Sequence, residues 1–470
     1  MLFLRVAIVA FLIVFFMPSE RSLAGEPLDS LCVVSKISIS GNKKTRNWII
    51  RRELPFAVND TVWPSDVEKL ALAAEESLNK TSLFNFVFVN YEINNQYIHF
   101  LVEVEERWYI WPFPIFEFAD RNLSVLIKEG NYSRVNFGGY LRIDNFRGLN
   151  EQLRIRAVAG YRNQLAVNYT TYNLNSGHNH GVDIMFNYVA GHEIPFKTIG
   201  NEPVYFTSDN GFARNYLEVQ LSYLYRPKLN WFHRLSAGHT YINVQDTVAA
   251  LNPLYLGEAR TDLSFFELRY EITHDKRSSK VYPLRGYYLK GVIHQQGLFS
   301  FDDFHATSLE GSVRGYYPLG GRFYSSSDVL GKVSTEQNLP YILSEAIGFS
   351  DYIRGFEYYV LNGSQYVINK NALKYELMPT RVVNLPFIPK GKFKKAHFAM
   401  YLNIFADMGY VTRDSNTPYN NTLEGNFLYG WGVGLDLVTY YDNIFRLEYT
   451  INKFGESGFF LHFGAPFLRN

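Results

Sequence analysis

The chain is 470 residues long and nearly neutral, with 46 Lys+Arg against 45 Asp+Glu and a formal net charge of +1. That balance lacks the basic footprint on which nucleic-acid affinity rests, so no nucleic-acid partner is expected. Aromatic residues make up 17% of the chain, yet the mean hydropathy is −0.15, which excludes a bundle of transmembrane helices and leaves a barrel as the membrane alternative.

Residues 1–24 read as a signal peptide. Arg5 precedes the apolar run Val6 to Met17, at 12 residues too short to span a bilayer, and Ser22-Leu23-Ala24 offers small residues for cleavage after Ala24. A single N-terminal membrane anchor is the alternative. The lone cysteine, Cys32, has no internal disulfide partner, and Asp29-Ser30-Leu31 is a poor lipid-attachment context; a partly buried thiol at a strand start is expected.

Residues 33–106 predict a small α+β module. Val33, Ile37 and Ile39 share one face of a strand that ends at Gly41-Asn42. A short helix follows Thr45 and stops before Pro55. Ser65 and Glu68 predict a capping box for a second helix, whose Val67, Leu70, Ala71, Ala74 and Leu78 recur at helical spacing. Two strands, Phe84 to Ile93 and Tyr97 to Glu105, supply the surface that covers it.

From Arg107 to Asn470 the pattern changes to period two. Phe398, Met400, Leu402, Ile404 and Met408 alternate with His397, Tyr401, Asn403, Phe405 and Asp407, and Phe445, Leu447 and Tyr449 alternate with Arg446 and Glu448. One face suits lipid and the other a lumen. Sixteen such segments can be placed, from 107–118 through 397–411 to 457–468, with His192 to Gly211 and Glu336 to Lys370 as external connections. The fold class expected is mainly β: a 16-stranded transmembrane antiparallel β-barrel over residues 107–470, preceded by one α+β domain. A soluble sandwich is the alternative, disfavoured because it needs two polar outer faces.

Several motifs carry a family resemblance. Ile353-Arg354-Gly355-Phe356 matches [VI]-R-G-[FY] in the longest external connection, Phe405-Ala406-Asp407-Met408-Gly409 matches F-x-D-x-G on the thirteenth strand, and Tyr282-Pro283-Leu284-Arg285-Gly286 matches Y-P-x-R-G between the eighth and ninth. In that order they resemble the BamA/TamA-like outer-membrane assembly-factor superfamily, bacterial surface antigen type barrels, and the module resembles a single POTRA domain. The resemblance implies a barrel in the outer membrane of a Gram-negative bacterium with its POTRA domain in the periplasm. It also implies that the long loop folds into the lumen, where Arg354 pairs with Asp407 and Glu376. An exposed loop arginine and two solvated acids are the alternative.

The first barrel strand holds Pro112 and Pro114, which remove two amide donors from one edge, and the last holds Gly464 and Pro466. The closing seam is therefore expected to be short of hydrogen bonds on both sides. In the resembling family such a seam is where clients enter the membrane. No catalytic motif is present, no metal or cofactor is expected, and Gly177-His178-Asn179-His180 reads as a turn rather than a metal site. The leading function is insertion or translocation of unfolded client proteins into the lipid bilayer, handed from POTRA domain to barrel seam. An accessory subunit of an envelope machine, a two-partner secretion channel and a diffusion porin are the alternatives.

Overall fold

The computed structural model describes residues 31–118, 135–384, 395–414, 421–439 and 443–464. The expected signal peptide and Pro466 lie outside these residues.

The N-terminal module runs β1 (Cys32–Ser40), α1 (Asn47–Arg52), β2 (Thr61–Val62), α2 (Val67–Lys80), β3 (Phe84–Asn94) and β4 (Tyr97–Glu106). Its sheet order is β2-β1-β4-β3, with β1 and β4 parallel and the other pairs antiparallel. Ile49 and Ile50 of α1 and Leu78 of α2 pack on Phe84, Ile98 and Phe100, all at most 0% exposed. Each such side chain contributes about 1.5–3 kcal/mol when buried. The expected capping box is absent: a 3-10 turn over Pro64–Asp66 leads into α2, whose N-cap Asp66 makes no capping bond and instead meets Lys69 at 3.1 Å. Cys32 is buried in the module core.

Sixteen antiparallel strands follow in one sheet: β5 (Ile110–Phe118), β6 (Val135–Phe146), β7 (Glu151–Gly160), β8 (Arg162–Thr171), β9 (His180–Gly191), β12 (Arg214–Lys228), β13 (Trp231–Val244), β14 (Asp262–Asp275), β15 (Gly286–Gln296), β16 (Ala306–Gly320), β17 (Phe323–Ser334), β18 (Gln365–Asn384), β19 (Lys395–Val411), β20 (Leu428–Val438), β21 (Ile444–Asn452) and β22 (Ser457–Gly464). The alternation is clear on β20, where Tyr429, Trp431, Val433 and Leu435 are exposed on the outside while Gly430, Gly432, Gly434 and Asp436 face in. An exposed apolar outer face suits lipid. The sheet curls into a barrel, since Tyr282, in the turn after β14, hydrogen-bonds Asp436 on β20 across the interior.

The connection after β9 is not a plain loop. It forms a second hairpin, β10 (Glu193–Ile199) and β11 (Glu202–Thr207), and a short helix α3 (Asp246–Leu251) follows β13. Ile194 and Phe196 of that hairpin pack with Val248, Tyr255 and Phe265, and Ile342 and Leu343 of the β17–β18 loop join them. These connections therefore build a dome over the far end of the barrel. The opposite end, where the chain leaves the module, carries the short turns. β18 begins at Gln365, earlier than the alternation suggested, which shortens the long loop to residues 335–364.

Candidate functional site

The 335–364 loop turns into the barrel. Ile353 and Phe356 are buried with Ile347, Leu361, Ile368 and Leu428, which holds the intervening Arg354-Gly355 pair against the wall. Gly355 sits at φ +94°, in the left-handed region that lets the chain reverse here. The wall is hollowed to receive it: a Cβ on Gly430 would lie 2.0 Å from the carbonyl oxygen of Arg354, and one on Gly409 would lie 2.6 Å from Ile353 Cδ1. Glycine is thus required at both positions for the loop to seat.

Arg354 donates to Asp407 through Nε at 2.7 Å and Nη2 at 2.6 Å, and its backbone N–H reaches the same carboxylate at 3.2 Å. Its guanidinium lies 3.8 Å from the centroid of the Phe405 ring. The forked bond and the ring face offset the desolvation of a nearly buried cation. The second acid is Glu448 on β21, 3.2 Å from Arg354 Nη1, and not Glu376. Glu376 shares the inner face of β18 but pairs with Tyr401, whereas Lys370 pairs with Asp407; six residues along a strand place it about 20 Å toward the module end. There it accepts from the Tyr401 hydroxyl at 3.4 Å.

A chain of polar contacts runs on from Glu448. Arg446 lies 3.8 Å from Glu448 and 2.8 Å from Asp436, and Asp436 accepts from the Tyr282 hydroxyl at 2.8 Å. Tyr282 enters the lumen from the β14–β15 turn, packing on Tyr401, with the Lys374 ammonium 4.1 Å from its ring centroid. In that turn Gly286 is at φ +93° against the carbonyl of Lys276, Pro283 follows Tyr282, and Arg285 pairs with Glu76 of α2. The far loop and the module-end turn are joined through one polar network.

The module docks on the same end. Glu53, 3% exposed, takes both nitrogens of Arg226, at 2.6 and 2.7 Å, with Arg52 at 3.1 Å. Burial would raise its carboxyl, but the charges and hydrogen bonds of Arg226 and Arg52 pull it down to about 2. Trp48 stacks on His178 at 3.5 Å, placing the Gly177 to His180 segment in a docking turn. Arg46 N–H donates to the Gly148 carbonyl at 3.0 Å.

At the seam, the Asp144 amide donates to the Tyr109 carbonyl at 2.8 Å, so odd-numbered residues of β5 turn their backbone groups to β6. Pro112 and Pro114 therefore face the opposite edge, where no ladder to β22 forms among the described residues. On β22 the Asn452 amide donates to the Glu456 carbonyl at 3.0 Å, which turns Gly464 toward β21 and leaves Phe459 and Leu461, with intact amides, on the edge. Among the described residues the donor deficit lies on the β5 side alone, not on both.

Arg446, Glu448, Asp436 and Glu53 are the functional candidates that sequence reasoning missed; inward parity was the available signal for Arg446 and Glu448.

Residues 32–107 match the POTRA family described as surface antigen variable number repeat, and residues 145–457 match the Omp85 superfamily domain. The chain is similar to the structure of BamA from Haemophilus ducreyi lacking POTRA domains 1-3, at 13% identity and TM-score 0.48, covering 90% of this chain and 81% of that one. CdiB from Escherichia coli is similar at 11% identity and TM-score 0.47, covering 96% and 92%, and CdiB from Acinetobacter baumannii at 12% and 0.47, covering 92% and 73%. No curated protein matches the chain. With the family domain spanning most of the barrel and a POTRA domain ahead of it, the chain belongs to the Omp85 superfamily of membrane-insertion and translocation barrels.

Proposed function

We propose that the protein resides in the outer membrane of a Gram-negative bacterium, exported by residues 1–24, with the POTRA domain in the periplasm. There it admits unfolded client proteins to the bilayer between β5 and β22. One contrast carries this reading. The far end of the lumen is filled by an anchored loop beneath a packed dome, while the β5 edge lacks two backbone donors at Pro112 and Pro114. Passage along the lumen, as a secretion channel needs, would break the Arg354 pairs and the dome contacts. Passage through the seam leaves both in place.

The motif roles follow. Ile353, Arg354, Gly355 and Phe356 seat the loop; Phe405, Asp407 and Gly409 receive it; Tyr282, Pro283, Arg285 and Gly286 link the lumen to the module. A scaffold subunit that inserts nothing is the second reading, favoured by the module being fastened to the barrel mouth through Glu53 and Arg226. A disulfide engineered across the seam separates the two. Client insertion into proteoliposomes that stops when the disulfide forms and returns on reduction supports lateral entry; insertion indifferent to the lock overturns it.

A further inference from the structure

Beneath the docked POTRA domain, the module end of the lumen holds a cavity of about 850 Å³, walled by α1, the end of α2 and strands from β6 to β15. Four carboxylates line it, and each is neutralised. Glu53 is held by Arg226, Asp183 by Arg234 at 2.9 Å, Asp275 by Arg277 at 2.8 Å, and Glu271 by Lys290 at 3.0 Å. Three further lining cations, Lys80, Arg154 and Lys280, make no ion pair among the described residues.

Arg154 is the most telling of these. It stands directly opposite Arg142 in the β6–β7 ladder, and like charges so placed repel. Arg142 is relieved by Asp144 at 2.9 Å, but Arg154 reaches only the amide oxygen of Gln152, at 3.0 Å. Its Nε is buried without a hydrogen-bond partner among the described residues. A cation retained against a like charge, with a desolvated donor left over, lowers stability and has no structural return. Such conflicts with local rules concentrate at binding sites.

We propose that this cavity binds an acidic, extended stretch of client polypeptide, whose carboxylates meet Arg154 from the barrel wall, Lys80 from the POTRA domain and Lys280 from the β14–β15 turn. The proposal rests on the client-handling reading above and adds which client segments it prefers. The cavity lies inside the barrel, away from the lipid face, and amide and charged side chains such as Gln152, Gln164, Asn168 and Asn187 line it. Those polar side chains suit a hydrated peptide backbone. β7 is two strands from the seam strand β5, so a segment held there lies beside the seam.

The test uses the full mature chain in zwitterionic detergent and a fluorescein-labelled decapeptide of alternating Glu and Ser, read by anisotropy at low salt. The Glu peptide should bind, weaken as salt rises, and exceed the matching Lys-Ser peptide. Arg154→Gln should weaken it roughly tenfold, the factor expected for one lost charge-assisted hydrogen bond. Lys80→Gln with Lys280→Gln tests the opposite wall should the first variant not fold, folding being judged by heat-modifiable mobility. Equal binding of the two peptides, or Glu-peptide binding unchanged in the folded variants, would overturn the proposal. So would full displacement by inorganic phosphate at low millimolar concentration, which would mark a small-anion site instead. None of these results bears on the seam disulfide experiment, so the two readings fail separately.

Discussion

The Glu448 carboxylate lies between two guanidinium groups, 3.2 Å from Arg354 of the long loop and 3.8 Å from Arg446 on its own strand. One fully buried acid thereby couples the loop to the wall and, through Asp436 and Tyr282, to the turn beside the POTRA domain. Removing one partner of a buried pair strands the other charge in a low-dielectric site, at a cost of about 3–5 kcal/mol.

Arg354→Ala is therefore expected to release the loop. Added protease should cut within residues 335–364 in intact cells that express the variant, where the parent is protected. Asp407→Asn should act similarly, and Glu448→Gln more weakly, because the Asp407 fork survives. Gly430→Ala should give the Arg354→Ala pattern from the opposite wall, since its Cβ would occupy the place of the Arg354 carbonyl. Protection retained in all of them would mean that the lumen contacts do not hold the loop.

Period two made the barrel legible because the side chains of a strand sort by parity alone, whatever its neighbours do. The same parity put Asp407, Glu376, Arg446 and Glu448 on the inner face. It could not give their height, because height depends on the stagger between strands, which backbone hydrogen bonds fix. Parity therefore fits Glu376 as well as Glu448, and only the stagger brings Glu448 to Arg354. The Glu53–Arg226 pair joins residues separated by 173 positions and leaves no local pattern at all. The β10–β11 hairpin was hidden for a different reason: it extends beyond the sheet, within a stretch that had the length of an ordinary external loop.

Docking of the POTRA domain should depend on acid. The Glu53 carboxyl is held at about 2 against an ordinary value of 4.5, so its contribution is complete above 4.5 and fades as pH falls through about 2. Spin labels at the exposed positions Leu72 and Phe323 should report one distance at neutral pH and a broadened distribution in acid. Arg226→Ala should give the broad distribution at neutral pH. A narrow distribution in that variant would assign docking to the Trp48–His178 and Arg46–Gly148 contacts instead.

The dome has the opposite pH response. Glu424, in the loop after β19, is 1% exposed; Oε1 accepts from the Asn362 amide and from Asn421, both at 3.3 Å, while Oε2 has no partner among the described residues. Burial pushes its carboxyl up to about 7. The stability it contributes is full below 4.5 and is lost as pH rises from there through about 7, on the order of 3 kcal/mol in all. Proteolysis of the dome should accelerate between about pH 4.5 and 7 in the parent and level off above, and Glu424→Gln should abolish that change. A pH dependence that persists in the variant would assign it to another group.

The seam prediction turns on the direction of two missing amides. Pro112 and Pro114 face away from β6, so the β6 ladder is complete while the opposite edge of β5 lacks two donors. Across from it, Phe459 and Leu461 of β22 turn their backbone groups to the seam with donors intact. Each bond left unmade forgoes on the order of 1 kcal/mol of net pairing, a few kcal/mol for a short ladder and enough to keep it openable. Pro112→Val with Pro114→Val restores both donors and keeps an apolar side chain of strand-forming type. The double variant should exchange seam amides more slowly by hydrogen–deuterium mass spectrometry and insert clients several-fold more slowly, with heat-modifiable mobility unchanged. Slower exchange with undiminished insertion would show that clients do not cross between β5 and β22, and would leave the scaffold reading in its place.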